Sequence, residues 1–425
     1  MWQKWWYGWQ LKQALKDNKT ARADYYLQQL NAHSDRLPWY ARLHQQNSRT
    51  ATQLAESQRK NASLITRLQS SQATTLCHPD YSFIQQVTAN FQLTECDPHL
   101  LRVTGIDREV FAAMESALAD FISQEISLLQ NKLTPSEGQA KLQAAIRDLL
   151  GLKQGIDPGY DLLFSPHIYL LRYFNENVYT NYLAWFLVYR SGLLPRELKL
   201  LDIAAGTGTV IYGLALLASS TRRFTTLPLN VAYYSLEQQA QLQYRGLQFW
   251  RSYIESLQSP LNAYARFNTL NLFDYANYKT KLPRQFFNFI AISHCFFYDS
   301  QQRQDSVAIY RDIFQHNLTS GGHVLLIIQG RKLYNLYSAT PTEDLEEEAN
   351  IMQLFLEDLG LQAEWYYYLS STGKRTPMSQ GFGKYARENL PQQTVISKLR
   401  QQYFGEPYLA SYVVDDYVIL AKKAE

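Results

Sequence analysis

Cysteine is nearly missing from this chain: Cys77, Cys96 and Cys295 are its only three. They are too few and too scattered for a disulfide scaffold or a cysteine zinc site, and no metal site is expected. Charge is also sparse, at 19% of residues against the roughly 25% of an average globular chain. No apolar run approaches the ~20 residues that a membrane helix needs. The longest, Phe286 to Tyr298, is broken by Asn288, Ser293 and His294, and no signal peptide is visible. The expectation is a cytoplasmic, intracellular protein with at most peripheral membrane contact.

Glycine is scarce in one region only. Residues 1–150 hold Gly8, Gly105 and Gly138 out of 19 in the chain. Because glycine is costly inside helices and useful at tight turns, the first third reads as helical and the remainder as a turn-rich mixed fold. With 425 residues, 46% of them apolar, the chain can fill two or three domains. The expected division is a basic, aromatic helical region at 1–75 and a helical region at 76–160. A Rossmann-like domain at 161–425 follows, with an insertion at about 370–411. The 31 tyrosines suggest a surface rich in neutral polar and phenolic groups.

Charge is distributed unevenly. The formal net charge is +3, yet residues 1–70 carry eleven Lys/Arg against four Asp/Glu, which points to an acidic partner for the N-terminus. Trp2, Trp5, Trp6 and Trp9 recur at helical spacing with Lys4, Lys12 and Lys16 between and after them. Such a face either lies on a membrane or another macromolecule, or packs its indoles on the protein's own helices. A Gln/Ser/Thr-rich helical stretch spans 38–72. Helices are expected at Asp107–Asn131 and Pro135–Leu152, and an aromatic one at Pro166–Ser191.

From Leu198 onward, short apolar runs alternate with helices. Strands are expected at Lys199–Ala204, Val231–Leu236, Ala265–Leu270, Phe287–Ser293 and His323–Ile328. The interleaved helices are Thr209–Ser219, Gln238–Leu257 and Gln304–Leu318. Strands this apolar belong to a parallel sheet covered on both faces. A helix at Glu343–Leu359 and strands at Leu361–Leu369 and Tyr417–Ala421 complete the pattern. The insertion carries Lys374, Arg375, Lys384 and Arg387, as a substrate lid or a decorated surface loop.

The chemistry concentrates in Leu200-Leu201-Asp202-Ile203-Ala204-Ala205-Gly206-Thr207-Gly208-Thr209. A buried strand runs into a turn of small residues and opens a helix, where backbone N–H groups are free to meet a ligand. No Lys follows the glycines, so this is not a P-loop, and Ile211 stands where a dinucleotide fingerprint needs glycine.

The stretch resembles the first motif of the class I S-adenosylmethionine-dependent methyltransferases, an acidic residue followed by Gly-x-Gly-x-Gly, with Ala204 in place of the first glycine. Three later segments extend the resemblance over roughly 195–330. Glu237 ends the second strand, where the family carries the acid that pairs with the ribose hydroxyls. Asn271-Leu272-Phe273-Asp274 resembles the adenine-contacting segment, with Asn271 at the acidic position and Asp274 as the alternative. Ser320-Gly321-Gly322-His323 resembles the turn before the fifth strand. The resemblance implies a seven-stranded Rossmann-like α/β sheet, preceded here by an all-helical N-terminal region, and S-adenosyl-L-methionine as cofactor. The cofactor-binding residues it implies are Asp202, Ala204, Gly206, Gly208, Glu237, Asn271, Leu272 and Asp274.

Within the superfamily the chain also resembles the methyltransferase-like proteins associated with the small ribosomal subunit. That likeness rests on Tyr182–Arg190, Ala291-Ile-Ser-His294 and Gly321–Gly330, although the cysteine cluster typical of that branch is missing. At the fourth motif the Asn/Asp-Pro-Pro-Tyr signature is absent, and Cys295 reads as a small buried thiol. His294 is the candidate general base; a structural histidine bonded to its neighbours is the alternative. Phe296, Phe297 and Tyr298 either stack on a flat substrate or belong to the core. Two functions follow. One is a methyltransferase acting on a macromolecule, RNA or a ribosomal protein. The other is a methyltransferase-like assembly factor for a ribosomal or membrane complex that binds the cofactor without methyl transfer.

Overall fold

The computed structural model describes residues 6–7, 9–11, 13–14, 20–32, 75–150, 158–224, 227–257 and 260–424. The chain divides into two compact units, Met1–Gln72 and Ala73–Glu425. Trp2, Trp5, the three lysines near them and the stretch 38–72 lie outside the described residues.

In the first unit, residues 6–7, 9–11 and 13–14 are helical and helix α1 spans Thr20–Ala32. Ala23, Leu27 and Leu30 recur on one face of α1 and close over Leu11 and Ala14, flanked by Tyr7 and Tyr26. Trp6 meets Tyr26 edge-on at 6.0 Å between ring centroids, yet Trp6 and Trp9 stay 42% and 50% exposed.

The second unit is built on one nine-stranded sheet. Its strands are β1 (Thr94–Asp97), β2 (Leu100–Arg102), β3 (Glu197–Ile203), β4 (Leu229–Glu237), β5 (Leu261–Thr269) and β6 (Phe287–Ser293). They are followed by β7 (Leu318–Gln329), β8 (Leu361–Ser370) and, after the two-residue pair β9 (Gln392–Gln393) and β10 (Ala410–Ser411), by β11 (Asp415–Lys423). The order is β1-β2-β8-β11-β7-β6-β3-β4-β5. Strands β3 to β7 are mutually parallel, and β11 runs antiparallel between β7 and β8. Leu198, Leu200, Leu201 and Ile203 of β3 are all buried, as burial on both faces of a parallel sheet requires.

The region 76–160, read as helical, is amended by the β1–β2 hairpin, which extends the sheet past β8 through a parallel β2–β8 pairing. Two strands of four and three residues are too short to leave a periodicity in sequence. The helices of this region, α2 (Tyr81–Asn90), α3 (Arg108–Gln130) and α4 (Pro135–Leu150), share one apolar core with the sheet.

The aromatic helix is one rod with a π-turn inside it: α5 (Ser165–Tyr169), the π-turn Leu170–Phe174, then α6 (Asn175–Arg190). It packs on α7 (Thr209–Ser220) so closely that a Cβ on Gly213 would lie 2.6 Å from the Asn181 carbonyl carbon. The tyrosines correct the composition-based expectation, for Tyr179, Tyr182, Tyr189, Tyr212, Tyr310 and Tyr417 are among the largest fully buried side chains. Burial of a phenol is tolerated where its hydroxyl finds an acceptor. Tyr179 donates to Gly105 O at 2.8 Å, Tyr212 to Gly246 O at 2.8 Å and Tyr310 to Cys295 O at 2.9 Å.

Two further differences concern the glycines and the insertion. Gly321 and Gly322 lie within β7 instead of before it. Gly321 has φ +73° and sits in a bulge where β7 loops out between Leu318 and His323 against Phe287 and Phe289. The insertion folds into α12 (Phe382–Asn389), α13 (Ile396–Phe404) and the β9–β10 pair (helices α8 to α11 intervene and are introduced below). Its Arg375 is not a surface cation. The side chain is 2% exposed and makes paired contacts to Asp97 and Glu348, tying the insertion to the hairpin.

Candidate functional site

At β3 and β6 the sheet changes direction, since β4 and β5 lie on one side of this pair and β7 on the other. The crevice beyond the carboxyl ends at such a switch point is where open α/β sheets bind ligands. A cavity of about 390 Å³ opens there, lined among others by Ala204, Gly206, Glu237, Leu272 and His294.

The turn after β3 is shaped by backbone conformation. Ala204, Gly206 and Gly208 have φ of +54°, +55° and +82°, the left-handed region that glycine enters freely and alanine only at a cost. Gly206 leaves room on the cavity side, since an added Cβ there would sit 3.7 Å from the Tyr169 hydroxyl. Glu237, at the end of β4, accepts the Gly206 N–H at 2.7 Å on one oxygen and the Gln239 N–H at 2.7 Å on the other. Burial pushes its carboxyl up, opposed by those two backbone donors. The carboxylate thus joins the turn to the start of helix α8 (Ala240–Tyr253).

Asp202 does not line the cavity. It is 1% exposed, and burial pushes its pKa up to about 7 against the favourable Tyr233 contact. One oxygen accepts the Tyr233 hydroxyl at 2.7 Å, while the other has no hydrogen-bond partner. Asn271 and Leu272 line the cavity, whereas exposed Asp274 is not among its lining residues. The Asn271 side-chain oxygen already accepts the Phe273 N–H at 3.0 Å. Phe273 and Phe297 pair at 5.2 Å across this end. Phe296 also lines the cavity but is buried and packs against Phe355. Cys295, read as a buried thiol, is half-buried and lines the cavity, because the chain turns out of the sheet at His294.

His294 has φ +61°. Its Nδ1 lies 3.0 Å from Ser293 Oγ and its Nε2 3.1 Å from Asp416 Oδ1. Asn181 Nδ2 donates to Ser293 Oγ at 3.2 Å, and the Thr180 hydroxyl donates to Asp416 Oδ2 at 3.2 Å. Tyr160, also lining the cavity, has φ +57°. Three of the six non-glycine residues with positive φ among the described residues, Tyr160, Ala204 and His294, therefore surround one cavity, and such strained backbone concentrates at functional sites.

A second cavity of about 1020 Å³ adjoins the first and shares Tyr160, Tyr169, His294 and Lys332 with it. Lys332 belongs to helix α10 (Gly330–Leu336), which follows α9 (Ser300–Asn317) and β7; α11 (Leu345–Leu359) comes next. Its ammonium sits 4.3 Å over the Tyr298 ring.

The seven strands β5-β4-β3-β6-β7-β11-β8, with a glycine turn after β3 and an antiparallel closing pair, decide the family of folds. This is the class I S-adenosylmethionine-dependent methyltransferase fold. No protein-family model and no curated protein matches the chain. Solved structures do. A putative sarcosine dimethylglycine methyltransferase from Galdieria sulphuraria is 11% identical, with 58% of this chain and 85% of that one covered at a TM-score of 0.34. A putative S-adenosyl-L-methionine-dependent methyltransferase from Methanococcus maripaludis is 12% identical over 61% and 91%, at 0.29. The glycopeptide N-methyltransferase MtfA complexed with sinefungin is 12% identical over 58% and 87%, at 0.33.

Sequence reasoning missed Tyr169, Thr180, Asn181, Lys332 and Asp416. The first three follow from a helical register, 169, 173, 176–177 and 180–181, that sequence periodicity could have shown. Asp416 had no local signal.

Proposed function

We propose that the protein is a methyltransferase that uses S-adenosyl-L-methionine and acts on a macromolecular acceptor. The observation that carries this reading is the cradle at the β3–β6 switch point. Gly206 leaves the turn open to the cavity, and Glu237 ends β4 beside it with a carboxylate able to accept a vicinal diol. Asp202 stays buried behind the turn, bonded to Tyr233, and outside the cavity lining. The residues of the cradle fit the cofactor. Glu237 would hold the ribose, and Asn271, Leu272 and the Phe273–Phe297 pair the adenine. The bound cofactor would supply a methyl group open to in-line displacement, which asks the protein mainly for positioning and exclusion of water. His294, at the boundary of the two cavities, is the candidate to receive the acceptor's proton. With Nε2–H donating to the Asp416 carboxylate, Nδ1 is the nitrogen that can take a proton, and it does so by releasing the Ser293 hydroxyl.

Calorimetric titration of the full chain with S-adenosylmethionine and S-adenosylhomocysteine tests the cofactor. Binding is expected, and Glu237→Ala should weaken it by about tenfold or more, about 1.4 kcal/mol. No binding, or an unimpaired variant, overturns the proposal.

The macromolecular acceptor, RNA or a ribosomal protein, is supported by the basic N-terminal region and its half-exposed Trp6 and Trp9. Among the described residues no helix is long and apolar enough to cross a membrane. Sedimentation with ribosomes and with anionic vesicles, with and without residues 1–20, tests this part. Cofactor binding and co-sedimentation without methylation of any component would instead identify an assembly factor.

A further inference from the structure

We propose that the second cavity is a recognition site for an amine. In this site the Asp416 carboxylate, positioned by His294 and Thr180, anchors the ammonium of the methyl acceptor. The proposal rests on the methyltransferase reading above and names the acceptor chemistry that reading leaves open.

Three independent features converge. The first is position, for the cavity joins the cofactor cavity at Tyr169 and His294, so a group held near Asp416 is next to the proposed transfer point. The second is the state of Asp416. It is 7% exposed, and among the described residues it meets no lysine or arginine; its contacts are the Thr180 hydroxyl and His294 Nε2. Those donors hold both oxygens, each of which keeps a further lone pair, and Asp416 lines the cavity. Neither contact comes from a lysine or arginine, so a cation adds a charge partner that the carboxylate lacks.

The third feature is the wall. Half-buried Asp415 and Glu176 line the same cavity as Asp416, and Tyr169 and Tyr298 add aromatic surface to it, the Tyr298 ring already carrying the Lys332 ammonium, surroundings that favour an ammonium over a neutral group. The competing charges are arranged differently. Arg331 is exposed, and Lys332 is drawn over the Tyr298 ring. Glu176 shares Arg400 at 3.7 Å and Gln393 at 3.2 Å, and Asp415 accepts the Tyr368 hydroxyl. Exposed Arg331 and half-buried Lys332 line the cavity together with its three carboxyl groups. An anionic phosphate or carboxylate would meet like charge at the methyl-transfer point, whereas an extended amine would not.

The test uses three probes of one shape on the full chain saturated with S-adenosylhomocysteine, and again without it: 4-phenylbutylamine, 4-phenylbutanol and 4-phenylbutyrate. At pH 7 the amine is expected to bind at least about tenfold more tightly than the alcohol, with the carboxylate weaker still. Asp416→Asn should reduce the amine-to-alcohol ratio to near one while S-adenosylhomocysteine binds as before. Glu176→Gln, a change at a half-buried position, should lower the ratio by a smaller factor and serves if Asp416→Asn fails to fold. An amine that binds no better than the alcohol overturns the proposal, as does an unchanged ratio in a folded Asp416→Asn protein. Failure of the cofactor reading is seen separately, as loss of S-adenosylhomocysteine binding with the amine preference intact in the cofactor-free titration.

Discussion

Gly246 lies inside helix α8, where replacement by alanine would ordinarily stabilise the helix by about 1 kcal/mol. The tertiary contact reverses this sign. A Cβ at position 246 would lie 2.2 Å from the Thr207 carbonyl oxygen and 2.7 Å from its carbon. Backbone atoms cannot rotate away, so the helix or the glycine turn must recede by about 1 Å to reach even a tight contact. Overpacking of this kind costs about 1–3 kcal/mol. The shift also strains the bond from the Tyr212 hydroxyl to Gly246 O, 2.8 Å and buried, whose loss costs about 1–3 kcal/mol. The costs exceed the propensity gain, and Gly246→Ala should destabilise by about 2 kcal/mol. Gly138 provides the control. It lies early in α4 and its added Cβ would meet only the Gln130 side chain, at 3.7 Å, so Gly138→Ala should stabilise by about 0.5–1 kcal/mol. Urea unfolding of both variants, read as midpoint shifts at constant m-value, measures the pair. Calorimetry should also show weaker cofactor binding in Gly246→Ala, because Thr207 belongs to the turn itself. Equal stabilisation of both variants would refute the close packing of α8 on the turn.

Three other outcomes follow from the same structure. Ala204→Gly relieves a left-handed alanine, worth about 1–2 kcal/mol, against about 0.4–1 kcal/mol of added unfolded-state entropy; a small net stabilisation in urea is expected. Asp202 has a folded pKa of about 7, raised above the unfolded value of about 3.9. The protonated group's advantage is therefore complete below the unfolded value and lost as pH rises through about 7. Asp202→Asn should flatten the decline in stability between pH 5 and pH 8, measured by urea midpoints across that range. Arg375→Ala leaves Glu348, 1% exposed, as a buried unpaired carboxylate. It should cost about 3–5 kcal/mol, and Arg375→Met with Glu348→Leu should recover much of that loss in thermal unfolding.

The site was partly legible because some of its chemistry is local. A turn that needs left-handed backbone demands small residues, so Gly206 and Gly208 announce it. A strand ending in Glu237 one unit later is likewise visible, since spacing along the chain maps onto neighbouring parallel strands. Asn271 was legible as a polar residue after the third strand, but not its use as a local cap for Phe273. Asp274 ends the 3₁₀ turn Leu272–Asp274, exposed and outside the cavity lining. Arg375 looked like a lid cation; what buried it was the β1–β2 hairpin, whose Asp97 lies 278 positions away in sequence.

By itself, then, the amino-acid sequence determined the alternation of buried strands and helices, the glycine turn and the acid that ends β4. Each of these is set by backbone conformation or burial within a few residues. Only the tertiary structure brought His294 to Asp416, 122 positions apart. The reason is that β11 enters the sheet antiparallel. Its first residues come to the carboxyl ends of the parallel strands, where Asp416 pairs with Gln329, and the cavity's Asp415 and Asp416 come from that reversal.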